Sequence, residues 1–428
     1  MQENNTWHPN IWPPFTQVTL SSPPQKIYSA KDSLLFLDEE KESSLIDAIS
    51  SWWVTLHGHS NEYIAKAIGE QASKLEQVIF ADFIHPQSIK LSERLSKLTG
   101  LERLFFSDNG STAVEVALKI GYQWWRNMGE PRTQIIAFDG AYHGDTFGAM
   151  AVGERNIFNS HFEEIMFPVK RVAWPSTWRG DNNVNKKEEY SLDQLATLLK
   201  IPTALVIFEP LVQGAGGMSM VRPEFLRKCQ ELIKENGSLL IADEVLTGFG
   251  RCGSFLASEQ SGLKPDLISL SKGLTGGFLP MGITMASEKI YQSFLGSDPK
   301  NTFWHGHSFT ANPLGCAAAN ASLDLLQMQM KNIKNFHHRH NKFMQIIENH
   351  SKVEHIRIRG TIAAFKLKGK EQSGYLNQNG KRLKHFAINN GVFLRPLGDI
   401  VYLMPPLCIS DDQLDFCYQI IEKGLNQI

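Results

Sequence analysis

Nowhere in the sequence do about 18 apolar residues run uninterrupted, and the opening MQENNTWHPNIWPPF has no basic region leading into an apolar core. Neither membrane insertion nor export is expected. An excess of one charge is missing too: 43 basic residues against 44 acidic ones leave a formal net charge of −1. No global field exists to recruit nucleic acid or anionic lipid, so small molecules are the expected partners. Cysteine is scarce. The five present (Cys229, Cys252, Cys316, Cys408, Cys417) are odd in number, widely spaced and form no C-x-x-C pair, which argues against a disulfide framework or a zinc site and for a reducing cytoplasm. Internal repeats, low-complexity tracts and nucleic-acid-binding signatures are also lacking. QGAGGM (213–218) contains G-x-G but not the third glycine and acidic partner of a dinucleotide fingerprint. HHRH (337–340) reads as the polar face of a helix and not as a metal site.

What is present is an ordinary globular composition, 42% apolar, 20% charged and 10% aromatic, over 428 residues. That length exceeds what one core usually serves, so one large domain plus a smaller one is expected. From about residue 58, helical segments alternate with short apolar runs that end in small, polar or charged residues. These runs are ERLFFSDNGS (102–111), QIIAFDGAYHG (134–144), ALVIFEPLVQG (204–214), SLLIADEV (238–245), DLISLSKG (266–273) and MGITMAS (281–287). Continuously apolar runs suit strands buried on both faces, and strand alternating with helix implies a mostly parallel sheet. Amphipathic helices are expected over 112–129 and 223–237. The polar stretch 176–194 lacks periodicity and reads as a surface excursion. After about residue 320 come a long helix (322–349), strand-like runs near 354–368 and 391–404, and a closing helix (411–427). The fold class is α/β: residues 58–320 form the large domain, and 1–57 with 321–428 form a smaller α+β domain from both termini.

Open α/β sheets bind ligands beyond the carboxyl ends of their strands, where these charged and glycine-rich tails fall. Lys272, between Ser271 and Gly273, becomes a usable amine nucleophile if desolvation lowers its pKa. Alone it would be a solvated loop lysine. Asp243 directly follows the buried run LLIA and needs a cationic or hydrogen-bonding partner; a protonated pyridine nitrogen is one, although a helix cap or loop acid also fits. SDNGST (107–112) opens a helix with Gly110, Ser111 and Thr112, which would seat a phosphate on free N–H groups or serve only as a cap. Tyr142, in the loop GAYHGDT (140–146), could lie on a flat cofactor or merely pack. Schiff-base lysine, ring-nitrogen aspartate, phosphate seat and stacking ring together describe a pyridoxal phosphate site.

These residues resemble the class III, fold type I, pyridoxal phosphate aminotransferases: DEVLTGFGR (243–251), then Pro265 and Asp266, then Ser271, Lys272 and Gly273 are similar to that family's signature. SSWWVTLHGH (50–59), AYHGDTFGAM (141–150), EPLVQGAGGM (209–218), NPLGCAAANASL (312–323) and LRPLGDIVYLMPP (394–406) extend the likeness over nearly the whole chain. They are most similar to the branch that aminates 8-amino-7-oxononanoate in biotin biosynthesis. The resemblance implies a seven-stranded, mostly parallel sheet and a homodimer with shared active sites. It implies Lys272 as covalent anchor and proton-shuttling base, Asp243 on the pyridinium nitrogen, Gly110 and Ser111 on the phosphate, and Tyr142 near the ring. Gly306, His307 and Ser308 would reach the phosphate and substrate of the neighbouring subunit. Arg395 would grip the substrate carboxylate, Trp52 would line its aliphatic chain, and Tyr402 and Arg251 would be nearby. The sequence departs from the family at Phe15, where tyrosine is common, at His307 and Ser308, where proline and threonine are common, and at Cys252, commonly threonine. Members of the branch use S-adenosylmethionine or lysine as amino donor, and Phe15 leaves that choice open. An ω-aminotransferase acting on ornithine, 4-aminobutyrate or a diamine shares the signature, and a cofactor-binding protein without turnover is the remaining alternative.

Overall fold

The computed structural model describes residues 6–369, 374 and 377–428; the first five residues of the opening stretch lie outside the described part. Its centre is a seven-stranded sheet whose order runs Arg103–Ser107, Gly282–Ala286, Leu267–Leu270, Leu239–Asp243, Thr203–Phe208, Gln134–Phe138, Lys170–Val172. Gly282–Ala286 is antiparallel to both neighbours and the other pairs are parallel. Alternate residues of these strands feed two separate cores. Ile136, Phe138, Val206, Phe208 and Leu240 pack on one face, and Ile135, Ala137, Leu205, Ile207, Leu239 and Ile241 on the other. This is why the runs are apolar at every position. All six expected strands are present; the seventh, Lys170–Val172, is a three-residue edge too short to show a pattern.

The helix Gly110–Asn127 begins with an Asn109 capping box, in which the Asn109 side chain accepts from the Thr112 N–H and the Thr112 hydroxyl lies 3.0 Å from the Asn109 N–H. Pro223–Glu235 opens with its proline at the first helical position. The expected surface excursion at 176–194 is corrected: Val184–Leu199 is a helix. Its buried face escaped notice because polar residues form much of it. Glu188 is buried against Arg222, and the Ser191 hydroxyl donates to the Ala173 carbonyl.

The two chain ends meet. Ser44–Asp47 pairs in parallel with Val392–Phe393, extending a four-stranded sheet begun by Ser29–Lys31 and Leu34–Phe36. Val353–Arg359, Ile362–Leu367 and Ile400–Leu403 form a three-stranded antiparallel sheet covered by the helix Asp411–Leu425 and its neighbours. The helix Pro313–Met344 starts earlier than the expected 322, capped by the Asn312 side chain on the Gly315 N–H. Residues 320 and 321 therefore lie within one continuous helix. The reading of HHRH as a polar face is corrected for His340, which is fully buried with Nδ1 2.9 Å from the Tyr418 hydroxyl and Nε2 3.0 Å from the Thr361 carbonyl. Among the described residues no cluster of His, Cys, Asp or Glu could hold a metal ion, and no helix is long and apolar enough to cross a membrane.

Candidate active site

A cavity of about 920 Å³ opens at the carboxyl ends of the central strands. Its floor is built where two adjacent parallel strands end. Asp243 stands opposite Ser269 in register, which brings Lys272, three residues further on, to the same edge. Asp243 is held by both oxygens: His143 Nδ1 lies 2.6 Å from Oδ2, and the Val245 N–H donates to Oδ1 at 3.0 Å. The carboxylate is thus aimed by two groups and buried. Lys272 leaves its strand with φ +47°, a left-handed conformation that a lysine adopts only when its surroundings impose it. Burial pushes its ammonium pKa down, with Arg251 adding to the effect and Asp243 and Glu209 opposing it. Its Nζ sits 5.0 Å from the centre of the Trp53 ring.

The second wall is a helix N-terminus. The Asn109 cap serves Thr112, and the N–H groups of Gly110 and Ser111 have no partner among the described residues. The Ser111 hydroxyl lies 2.8 Å from that of Thr146, whose N–H also donates to it at 3.0 Å. Two glycines make this corner. A Cβ on Gly110 would fall 2.6 Å from a methyl of Val245, and one on Gly144, whose φ is +128°, would fall 2.2 Å from the Ser111 hydroxyl. Free amides, hydroxyls and a positive helix end form an anion seat.

Tyr142 lines the cavity between seat and floor, its hydroxyl donating to Asp145 at 2.9 Å. Burial raises its pKa further above the ordinary phenol value, so it stays protonated. Its N–H donates to Glu209, which also accepts from the Gly214 N–H. Glu209 is buried, and its pKa is pushed up to about 7 by desolvation and by the Asp243 charge, against the pull of His143.

The mouth comes from the chain ends. Phe15 meets Trp52 and Phe158 edge-on, with ring centres 5.6 and 5.9 Å apart. Arg395 lies over Trp52 at 4.9 Å and forms no ion pair among the described residues. Ser50, Ser51 and Trp53 all have positive φ. Asp47 holds this bend by accepting from the N–H groups of Ile49 and Ser51, and the Ser50 hydroxyl bonds to the Met404 carbonyl. The bend sends Trp52 to the mouth and Trp53 to the floor, where its indole N–H donates to the Tyr402 hydroxyl at 2.9 Å.

The structure therefore brings Lys272, Asp243, Gly110, Ser111, Tyr142, Phe15, Trp52, Arg395 and Tyr402 around one cavity. Four expected residues do not line it. Arg251, expected nearby, stands behind the lining: it donates to the carbonyls of Pro405 and Trp53, because a cation sealed from solvent must find acceptors in the chain. Gly306, His307 and Ser308 lie outside the lining. His307 Nδ1 is 3.0 Å from Asp108, and the Ser308 carbonyl accepts from Gln77. The sequence reading did not single out His143, Glu209, Val245 or Trp53. The first two carry a signal in hindsight: a histidine and a glutamate at strand ends of the sheet that already offers Asp243 and Lys272.

The lining residues suit pyridoxal phosphate on the structure's own terms: a half-buried lysine amine for its aldehyde, a doubly anchored carboxylate for its ring nitrogen, an anion seat whose corner no larger residue than glycine fits, and Val245 and Tyr142 beside the space between. The model for aminotransferase class-III matches residues 21–425, and the chain belongs to that family. It is 50% identical to the adenosylmethionine-8-amino-7-oxononanoate aminotransferase of Synechococcus elongatus over 98% of this chain and 99% of that one. It is 36% identical to the enzyme of the same name from Geobacter sulfurreducens, over 98% and 96%. A crystal structure of the Methanocaldococcus jannaschii enzyme of that name superposes with a TM-score of 0.90 at 30% identity, covering 98% and 97%. The chain is a pyridoxal phosphate-dependent class III aminotransferase.

Proposed function

We propose that this enzyme transfers an amino group to 8-amino-7-oxononanoate, forming 7,8-diaminononanoate for biotin synthesis in the cytoplasm. The observation that carries this reading is the mouth. Arg395, with no acidic partner among the described residues, stands over Trp52 at the open end of a cavity whose outer wall is Phe15, Trp52 and Phe158. A substrate with a reactive carbonyl or amine, an aliphatic chain and a terminal carboxylate matches that sequence of surfaces, and the full-length likeness to relatives bearing this activity in their names supports it.

Pyridoxal phosphate supplies an electron sink that stabilises the carbanion left when a proton is removed beside the substrate nitrogen. In our reading Lys272 would hold it and would move that proton, its amine kept competent by desolvation. Asp243, held by His143 and Val245, would keep the ring nitrogen protonated. Gly110 and Ser111 would bind the phosphate, and Tyr142 would pack near the ring. Arg395 orients the substrate through a bidentate carboxylate pair, while Trp52, Phe15 and Tyr402 exclude water along the chain.

S-adenosylmethionine is the proposed donor, with lysine as its competitor. We also place Gly306, His307 and Ser308 in the site of a second copy of the chain. Trp304 and Phe309 flank them, exposed by 76% and 62%, and the Gln77 bond to Ser308 brings the exposed Ile79, Phe83 and Ile84 alongside. An apolar patch of this kind is suited to self-association. The test is amination of 8-amino-7-oxononanoate by the purified enzyme, with S-adenosylmethionine and lysine in parallel. Formation of 7,8-diaminononanoate with either supports the reading; its absence, with 4-aminobutyrate turned over instead, would overturn it.

A further inference from the structure

Behind the turn that carries Lys272 stand two residues that neither line the cavity nor belong to the central sheet. The carbonyl of Gly273, next in the chain after Lys272, accepts from the Ser322 hydroxyl at 3.0 Å. Ser322 Oγ lies 2.9 Å from His57 Nε2. With the hydroxyl proton on the Gly273 carbonyl, the Ser322 oxygen accepts from Nε2–H of His57. Gln329 Oε1 is placed 3.0 Å from Nδ1, so in that tautomer the side-chain amide turns over to donate its NH2 to Nδ1. His57 and Ser322 are both buried, so neither bond is exchanged with water.

The turn itself needs such support. Lys272 is left-handed at φ +47°, a conformation that a side-chain-bearing residue keeps only where its surroundings hold it. The Ser271 hydroxyl ties one side of the turn to the Met281 carbonyl at 2.6 Å; Ser322 ties the other. Gly276, at φ +64°, lets the turn pack close to this pair, because a Cβ there would come 2.8 Å from Ile64 Cδ1 and 3.2 Å from His57 Cδ2. His57 comes from the N-terminal segment that also presents Trp53, and Ser322 from the helix Pro313–Met344.

We propose that His57 and Ser322 are positioning residues that hold the Lys272 peptide in its left-handed turn and so aim the ε-amine at the cofactor aldehyde. Through them, the segment that shapes the substrate wall also sets the orientation of the lysine. The inference rests on the reading of Lys272 as the anchoring amine. In the bond concerned, the amine adds to the aldehyde carbon, a C=N bond forms, and the aldehyde oxygen leaves as water.

The experiment uses the full-length protein freed of cofactor, wild type beside Ser322→Ala and His57→Asn. The rate at which added pyridoxal phosphate gives the visible absorbance of the lysine-bound form is measured. The affinity for pyridoxamine phosphate, which fills the same site but has no aldehyde, is read from tryptophan fluorescence. The expected result is capture roughly tenfold slower in Ser322→Ala with pyridoxamine phosphate affinity within twofold of wild type, and His57→Asn in the same direction. Unchanged capture in Ser322→Ala would overturn the inference, as would a parallel loss of both readouts, which marks general damage. If His57→Asn does not fold, Ser322→Ala alone decides. Wild-type protein that never develops the absorbance would instead overturn the reading of Lys272 itself.

Discussion

The floor and the mouth of the cavity are made in opposite ways. At the floor, Asp243 and Lys272 stand where adjacent strands of a sheet packed on both faces end, and the groups around them are bonded at every turn: His143 and Val245 on Asp243, Ser322 on Gly273, Ser271 on Met281. At the mouth, Phe15, Trp52, Phe158 and Arg395 come from four distant parts of the chain and meet through ring contacts, with Trp52 still 43% exposed. Rigid strand ends suit a reaction that tolerates little misplacement. Loops suit a boundary that selects among substrates sharing one reaction.

If the floor carries the chemistry, the largest effect belongs to Asp243→Asn. It removes the charge that would hold the ring nitrogen protonated while keeping acceptor geometry for Val245, and should lower kcat by roughly 10³ with little change in KM for the keto acid. A matched fall in both parameters would place Asp243 in binding and erase the contrast.

Next in size is an acid weakness behind the floor. Burial holds His57 and His340 down to about 4, well below the ordinary value of 6.5. Both are taken up neutral on folding, so the unfolded chain binds more protons between about pH 6.5 and 4. Stability is present in full above 6.5 and is lost as pH falls through that window, by roughly 3 kcal/mol per histidine. Denaturant titrations at pH 7 and 5 should show the loss in wild type and a smaller one in His57→Asn.

At the mouth, Arg395→Ala should raise KM for 8-amino-7-oxononanoate about 30-fold, from the loss of charge-assisted hydrogen bonds, while kcat at saturation falls much less. Phe15→Tyr is the mildest change. It adds a hydroxyl beside Trp52 and should alter the preference between S-adenosylmethionine and lysine by about 3- to 10-fold, the worth of one hydrogen bond. A Phe15 effect as large as that of Asp243 would mean that the mouth is not merely selective.

The same contrast governs what could be read before the fold was in hand. Asp243, Lys272, Gly110, Ser111 and Tyr142 sit where apolar runs stop, and a run that stops in a charge or a glycine announces a strand end. Arg395 and Trp52 carry no such local signal, and only the family resemblance brought them in. For Arg251 the motif is visible in the sequence while its environment is not: the guanidinium serves carbonyls of Trp53 and Pro405, far apart in sequence. The helix Val184–Leu199 was missed because its inward face holds Glu188 and Ser191, whose partners lie on other elements. His57 and Ser322 share that character, and their link to Gly273 exists only once three segments have packed.

The central claim, that the buried floor anchors the cofactor through one amine, is tested most directly by borohydride reduction of the cofactor-loaded protein followed by peptide mass spectrometry. The account predicts a pyridoxyl adduct on Lys272 alone, absent from Lys272→Ala. An adduct on another lysine, or none in protein that turns over substrate, would contradict it.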